Sequence, residues 1–105
     1  MLVSALIRRV NAAGGFATVI HRGDDGSGAI LVECAERGAT DLLLERATAL
    51  DGSDSWRTIA RPDGDDATAY AERIAKRRKS DPDLWVIELD IADAQRFAAE
   101  TIGTA

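Results

Sequence analysis

The sequence predicts an α+β domain: a mostly antiparallel sheet of about five strands with two or three helices packed on one face, in the order α-β-β-β-β-α-β-α. Three observations carry this expectation. Apolar residues recur with helical spacing at the start of the chain. The period then shortens to strand alternation after the paired glycines Gly14 and Gly15, and it returns to the helical value after the Pro62–Asp66 break.

Val3, Leu6, Ile7 and Val10 fall at i, i+3, i+4 and i+7, which predicts a helix from about Leu2 to Ala13, ended by Gly14 and Gly15. Phe16 to Arg22 and Ala29 to Ala35 suit a pleated surface, and the glycine-rich turn Gly23–Gly28 between them predicts an antiparallel hairpin. Thr40 to Ala47 follows as a third strand, with a helix as the alternative, and Ser55 to Arg61 as a fourth, entered through Asp51-Gly52. Carboxylates in Pro62–Asp66 suit the start of a helix from about Ala67 to Lys79, with Ala67, Tyr70, Ala71 and Ile74 on its inner face. Asp81-Pro82-Asp83 stops it. Leu84 to Asp90 has apolar residues on both faces at its start, as a central strand requires. Asp90 or Asp93 is positioned to cap a last helix running to about Thr101, with Phe97, Ala98 and Ile102 as its inner face.

The chain has 105 residues, enough for one domain and one core. Nineteen alanines and five aromatic residues make that core thin for its apolar count, so self-association is a natural supplement. A net charge of -5 argues against a protein that coats itself in nucleic acid or an anionic membrane. Arg8 and Arg9 interrupt the apolar start before a signal-peptide core could form, and no apolar run reaches the roughly 18 residues of a membrane span. A cytoplasmic protein is expected. One cysteine and one histidine supply neither an internal disulfide nor a tetrahedral zinc site, and no cofactor is expected.

Candidate chemistry is sparse. Gly23-x-x-x-x-Gly28 has the glycine spacing of a phosphate loop, but Ala29 and Ile30 stand where the lysine and hydroxyl residue belong, and Asp24 and Asp25 would repel phosphate. Asp24, Asp25, Asp51, Asp54, Asp63, Asp65 and Asp66 match no calcium-loop pattern and read as turns and caps. Cys34 closes an Ile30, Val32, Cys34 alternation and reads as a buried small hydrophobe. His21, the one base available to it, would lie across the predicted hairpin. Asp81 and Asp83 form either a carboxylate pair or, the favoured reading, a helix stop bonded to its own backbone. Arg73 to Lys79 holds five cations in seven residues. Arg73, Lys76 and Arg77 would form a solvent-facing stripe, and Arg78 would fall toward the apolar side.

Ser4-Ala-Leu-Ile-Arg-Arg-Val10, Gly14-Gly-Phe-Ala-Thr-Val-Ile20 with Arg22-Gly-Asp24, Gly28-Ala-Ile-Leu-Val32, Ala49-Leu-Asp-Gly52 with Trp56, and Asp81-Pro-Asp-Leu-Trp-Val-Ile-Glu88 together carry a resemblance. Through them most of the chain resembles a bacterial family of uncharacterised proteins, the domain of unknown function numbered 1491. The resemblance implies a small, single-domain cytoplasmic protein and brings no activity, substrate or catalytic residue. The segment from about Ala92 to Ala105 departs from the family's usual ending, so its helix rests on pattern alone.

Two functional expectations follow. The first is a non-catalytic interaction module, a homodimer, with a partner surface on helix one and the Arg73–Lys79 helix, and with an exposed sheet edge available for pairing across a two-fold axis. The second is a small-molecule or anion-binding protein, conceivably an enzyme, with Arg8, Arg22, Arg77, Asp81, Asp83 and Trp85 around one cleft, arginine holding the anion and Trp85 giving a flat wall. An acidic protein is a further candidate partner for the cations. Weak nucleic-acid binding through the basic helix, residues 73–79, is a third reading, disfavoured because no aromatic residue interleaves with the cations.

Overall fold

The computed structural model describes residues 2–24, 29–37, 39–48, 51, 54–60 and 67–103. Its elements are α1 (Leu2–Ala12), β1 (Phe16–His21), β2 (Ile30–Glu36), β3 (Ala39–Thr48), β4 (Asp54–Ala60), α2 (Ala67–Ser80), β5 (Trp85–Asp90) and α3 (Ala94–Gly103), the predicted order. The third segment is a strand, not the helix its leucine run also permitted. Of the predicted features, Asp25–Gly28, the Gly38 and Gly52 turn positions, the Pro62–Asp66 break and the last two residues lie outside the described residues.

The sheet runs β1-β5-β2-β3-β4, antiparallel except for the parallel β5–β2 pair. This corrects the predicted β1–β2 hairpin. The two strands are antiparallel to each other, but β5 is inserted between them. The eight residues from Arg22 to Ala29 make this possible. They need only straddle two inter-strand spacings, about 9.6 Å, whereas an extended chain of that length reaches roughly 26 Å. The described ends of this connection bond to the start of β5: Asp24 N–H donates to Asp83 C=O (3.0 Å) and Trp85 N–H donates to Ala29 C=O (2.8 Å). Burial on both faces drives the insertion. Trp85, Ile87 and Leu89 face one side and Val86 the other, so β5 gains by having neighbours on both edges and helices on both faces. It is interior, one place from the central β2.

Two helices share a face, as predicted. Val3, Leu6 and Val10 of α1 and Ala94 and Ala98 of α3 pack on Val32, Cys34, Leu44, Ile87 and Leu89. The third, α2, lies on the opposite face, where Tyr70 and Ile74 meet Leu31, Leu43, Leu84 and Val86. The helix α1 ends in a Schellman motif. Gly15 N–H donates to Val10 C=O (3.0 Å), Gly14 N–H donates to Asn11 C=O (3.2 Å), and Gly14 takes φ 89°. Asp93, with φ 59°, directly precedes α3 and its carbonyl accepts from Arg96 N–H (2.9 Å). Asp90 does not cap that helix. Its Oδ1 accepts from Arg37 N–H (2.8 Å) and so fixes the left-handed residue between β2 and β3. On the far edge, the indole of Trp56 donates to Ala98 C=O (2.8 Å) and ties β4 to α3.

Candidate functional site

The six residues expected around one cleft are distributed over three places. Arg22, Asp83 and Trp85 meet at the crossing over the start of β5. Trp85 is 6% exposed and points into the α1–α3 core, and its Nε1–H donates to Asp24 C=O (2.8 Å). The Arg22 guanidinium lies 5.9 Å from the ring centroid. A tryptophan committed in this way fastens the crossing, so the expected flat ligand wall is absent. Asp81 Oδ1 accepts from Asp83 N–H (3.1 Å), and Leu84 N–H donates to Asp81 C=O (3.1 Å), a self-bonded turn that leads α2 into β5. Arg77 lies on the other side of the sheet from Trp85, and Arg8 is exposed on the outer surface of α1. Strand alternation separates them, since α2 packs on the face that Val86 points to and Trp85 points away from.

On the α2 side, Glu45 of β3 is buried, and each of its carboxylate oxygens takes one guanidinium: Oε1 that of Arg57 from β4 and Oε2 that of Arg77 from α2. Register explains the first pair, because Glu45 lies directly across from Arg57. The second corrects the helical-wheel expectation. It is Arg77 that turns toward the sheet, one turn beyond Ile74, while Arg78 is exposed. The buried carboxylate supplies the reason. Beside this cluster an open cleft of about 590 Å³ is lined by Ile59, Arg73, Lys76, Arg77, Ser80 and Asp81.

Cys34 is buried in the α1–α3 core, as its alternation implies. The insertion of β5 removes the expected proximity of His21 to it. Cys34 pairs with Leu89 at one end of β5 and His21 with Val86 toward the other. The His21 Nδ1 lies 2.8 Å from Leu84 C=O, and since a carbonyl only accepts, Nδ1 carries the hydrogen. Among the described residues, no three His, Cys, Asp or Glu side chains are grouped to hold a metal, and no helix is long and apolar enough to cross a membrane.

Glu33 and Glu88 are paired neighbours on β2 and β5. Burial first, and the Glu88 charge second, push the Glu33 carboxyl up from its ordinary value of 4.5. The folded state therefore holds this proton more tightly than the unfolded chain does. Its contribution is most favourable at acidic pH and is lost as pH rises through the folded-state value. Glu33→Gln is expected to melt higher than the parent protein at pH 7, with the advantage disappearing in melts below the ordinary glutamate value.

The outer edge of the sheet at β1 carries the exposed large apolar side chains Phe16 (74% exposed), Val19 (42%) and Ile20 (50%). The strand Phe-Ala-Thr-Val-Ile-His contains no acidic residue, lysine, arginine or proline. The opposite edge, β4, has Asp54 and Arg57 in its sequence. Ala17 N–H points away from β5 and donates to Asn11 Oδ1 (3.3 Å), so Ala17 and, by alternation, Val19 present their backbone groups outward. Composition alone does not mark this edge, because the predicted hairpin gives β1 a partner in β2. Its alternation is also weak, with apolar residues on both faces.

Residues 1–99 match the model of a family described as "Protein of unknown function (DUF1491)". The match extends into α3 as far as Ala99, which corrects the expected departure from the family at Ala92. A crystal structure of a DUF1491 family protein from Caulobacter crescentus CB15 is similar at 40% identity and a TM-score of 0.71, covering 90% of this chain and 88% of that one. An NMR structure of a DUF1491 family protein from the same organism gives 40% identity and a TM-score of 0.71 over 91% and 86%. The solution structure of protein Atu0922 from A. tumefaciens gives 33% and 0.70 over 89% and 84%. No curated protein matches the sequence.

Proposed function

We propose that this chain, which belongs to the DUF1491 family of proteins of unknown function, is a non-catalytic cytoplasmic interaction module that works as a homodimer joined along β1. The observation that carries the reading is the unguarded edge strand with Phe16, Val19 and Ile20 exposed. Edge strands of soluble proteins are normally blunted by charge, proline, twist or cover, and β1 has the irregularity after Val19 and the single Asn11 side chain on Ala17 N–H. The apolar residues of β1, and not the outer faces of α1 and α2, therefore form the partner surface.

The strand also complements itself. With a two-fold axis at Thr18, Phe16 of one copy faces Ile20 of the other on one face of the joined sheet, and Ala17 faces Val19 on the other. All three exposed residues gain an apolar neighbour in this single register. Ala17 and Val19 are the residues with outward backbone groups, so they exchange the hydrogen bonds across the axis, with Asn11 releasing Ala17 N–H. Two five-stranded sheets become one of ten.

Light scattering over a wide concentration range is expected to give a dimer, and Val19→Lys to give a monomer with an unchanged circular dichroism spectrum, since lysine on an edge strand is a natural block to pairing. A parent protein that remains monomeric at high concentration, or a Val19→Lys variant that dimerises as well as the parent, would overturn the reading.

A further inference from the structure

We infer that the cleft between α2 and the β3–β4 side of the sheet binds a small molecule through a phosphate group, held by Arg73, Lys76 and Arg77. This site is on different residues from the β1 edge and does not depend on dimerisation.

The argument begins with Glu45. A carboxylate buried in a sheet face is costly unless paired, and here two guanidinium groups converge on it from different elements. Each has five N–H donors, and one carboxylate oxygen engages only part of such a fork. Glu45 thus fixes Arg77 with donors to spare, and Arg77 also lines the cleft. A ligand meeting this side chain finds it already oriented, which lowers the ordering cost of binding.

Charge follows the same direction. Among the described residues that line the cleft or meet Glu45, the cations are Arg57, Arg73, Lys76 and Arg77 and the carboxylates are Glu45 and Asp81. The α2 dipole accounts for cations in its last turn, Arg77 to Lys79. It does not account for Arg73 and Lys76, which come before that turn and sit at the i and i+3 positions of the same cleft wall.

The chemistry of the lining selects the ligand class. A planar guanidinium fork beside a compact ammonium suits a phosphate dianion better than a singly charged carboxylate. Ile59 gives the organic body an apolar contact, and about 590 Å³ is the size of a metabolite site. Among the described residues no aromatic side chain lines the cleft, and base stacking of the kind that sustains single-stranded nucleic-acid binding has no support from them.

Titrating the isotopically labelled protein with inorganic phosphate, followed by amide and arginine side-chain NMR, tests the site. Saturable shifts confined to Ile59 and to residues 73–81 are expected. They should weaken about tenfold or more in Arg73→Gln/Lys76→Gln, two exposed positions whose replacement leaves the core untouched. Val19→Lys should bind phosphate as the parent does. Equal shifts from sodium chloride at matched ionic strength or from acetate, or indifference to the double substitution, would overturn the inference. Tighter binding of a single-stranded oligonucleotide at these residues would overturn it in favour of a nucleic-acid surface.

Discussion

Gly23→Ala is expected to destabilise the fold by about 3 kcal/mol, at the upper end of ordinary overpacking, and to lower the melting temperature by about 12 °C for a domain of this size. A Cβ at this position would collide with Asp83 O and stand 2.7 Å from Trp85 N. Both are backbone atoms of the segment that β1 and β2 straddle, and backbone inside a hydrogen-bonded crossing has no rotamer with which to yield. Any shift that admits the methyl group separates Asp24 N–H from Asp83 C=O and the Trp85 indole from Asp24 C=O. The control is Gly14→Ala. Nothing lies within 4 Å of a Cβ there, and only its φ of 89° opposes the substitution, a cost of about 1–2 kcal/mol. Urea unfolding of the two variants separates a clash from a strained dihedral. Equal losses would mean that the crossing is not tight.

That crossing also marks where the sequence stops being informative about topology. Periodicity, residue type and turn residues locate the elements, because each is a local property of the pattern. Phe16–His21 and Ile30–Glu36 have the composition of adjacent hairpin strands, and they do run antiparallel to each other on either side of β5. Which strand lies between them is decided some fifty residues later, by the two-sided burial of Val86 and Ile87. The same strand explains α2. Leu31 and Val86 point away from α1 and α3, so a helix has to cover them, and Tyr70 and Ile74 provide it. The apolar residues of β5 on both faces are visible in the sequence and imply cover on both sides, but nothing in the pattern says which helix supplies the second cover.

Site residues were legible only where their role is local. Asp81 and Asp83 form the turn that a proline between two acids suggests. Arg77 is a ligand candidate from sequence and lines a cleft, but the residue that orients it, Glu45, carries no motif. In Leu42-Leu-Leu-Glu-Arg46 nothing distinguishes Glu45 from an exposed acid until β3 is set against β4 and Arg57 falls opposite. Alternation held a partial signal. Glu45 follows Leu43 by two residues and therefore shares its face, which is the buried α2 side.

The Glu45 cluster should respond asymmetrically to mutation, since its three members differ in burial. The Glu45 side chain is 7% exposed, against 62% for Arg57 and 40% for Arg77. In Glu45→Ala both guanidinium groups turn to water, so the loss is that of two partly exposed ion pairs, roughly 1–2 kcal/mol together. In Arg57→Ala/Arg77→Ala the carboxylate stays beside Leu31 with neither partner, and stranding a buried charge costs about 3–5 kcal/mol. Each single arginine variant leaves one partner in place and should lose less than half of the double variant's total, because the second removal is the one that strands the charge. Urea denaturation of the four variants at pH 7 reads this order directly. If Glu45→Ala proved as damaging as the double arginine variant, the carboxylate would be acting mainly as packing between β3 and α2, and the orienting role assigned to it in the phosphate cleft would lose its physical basis.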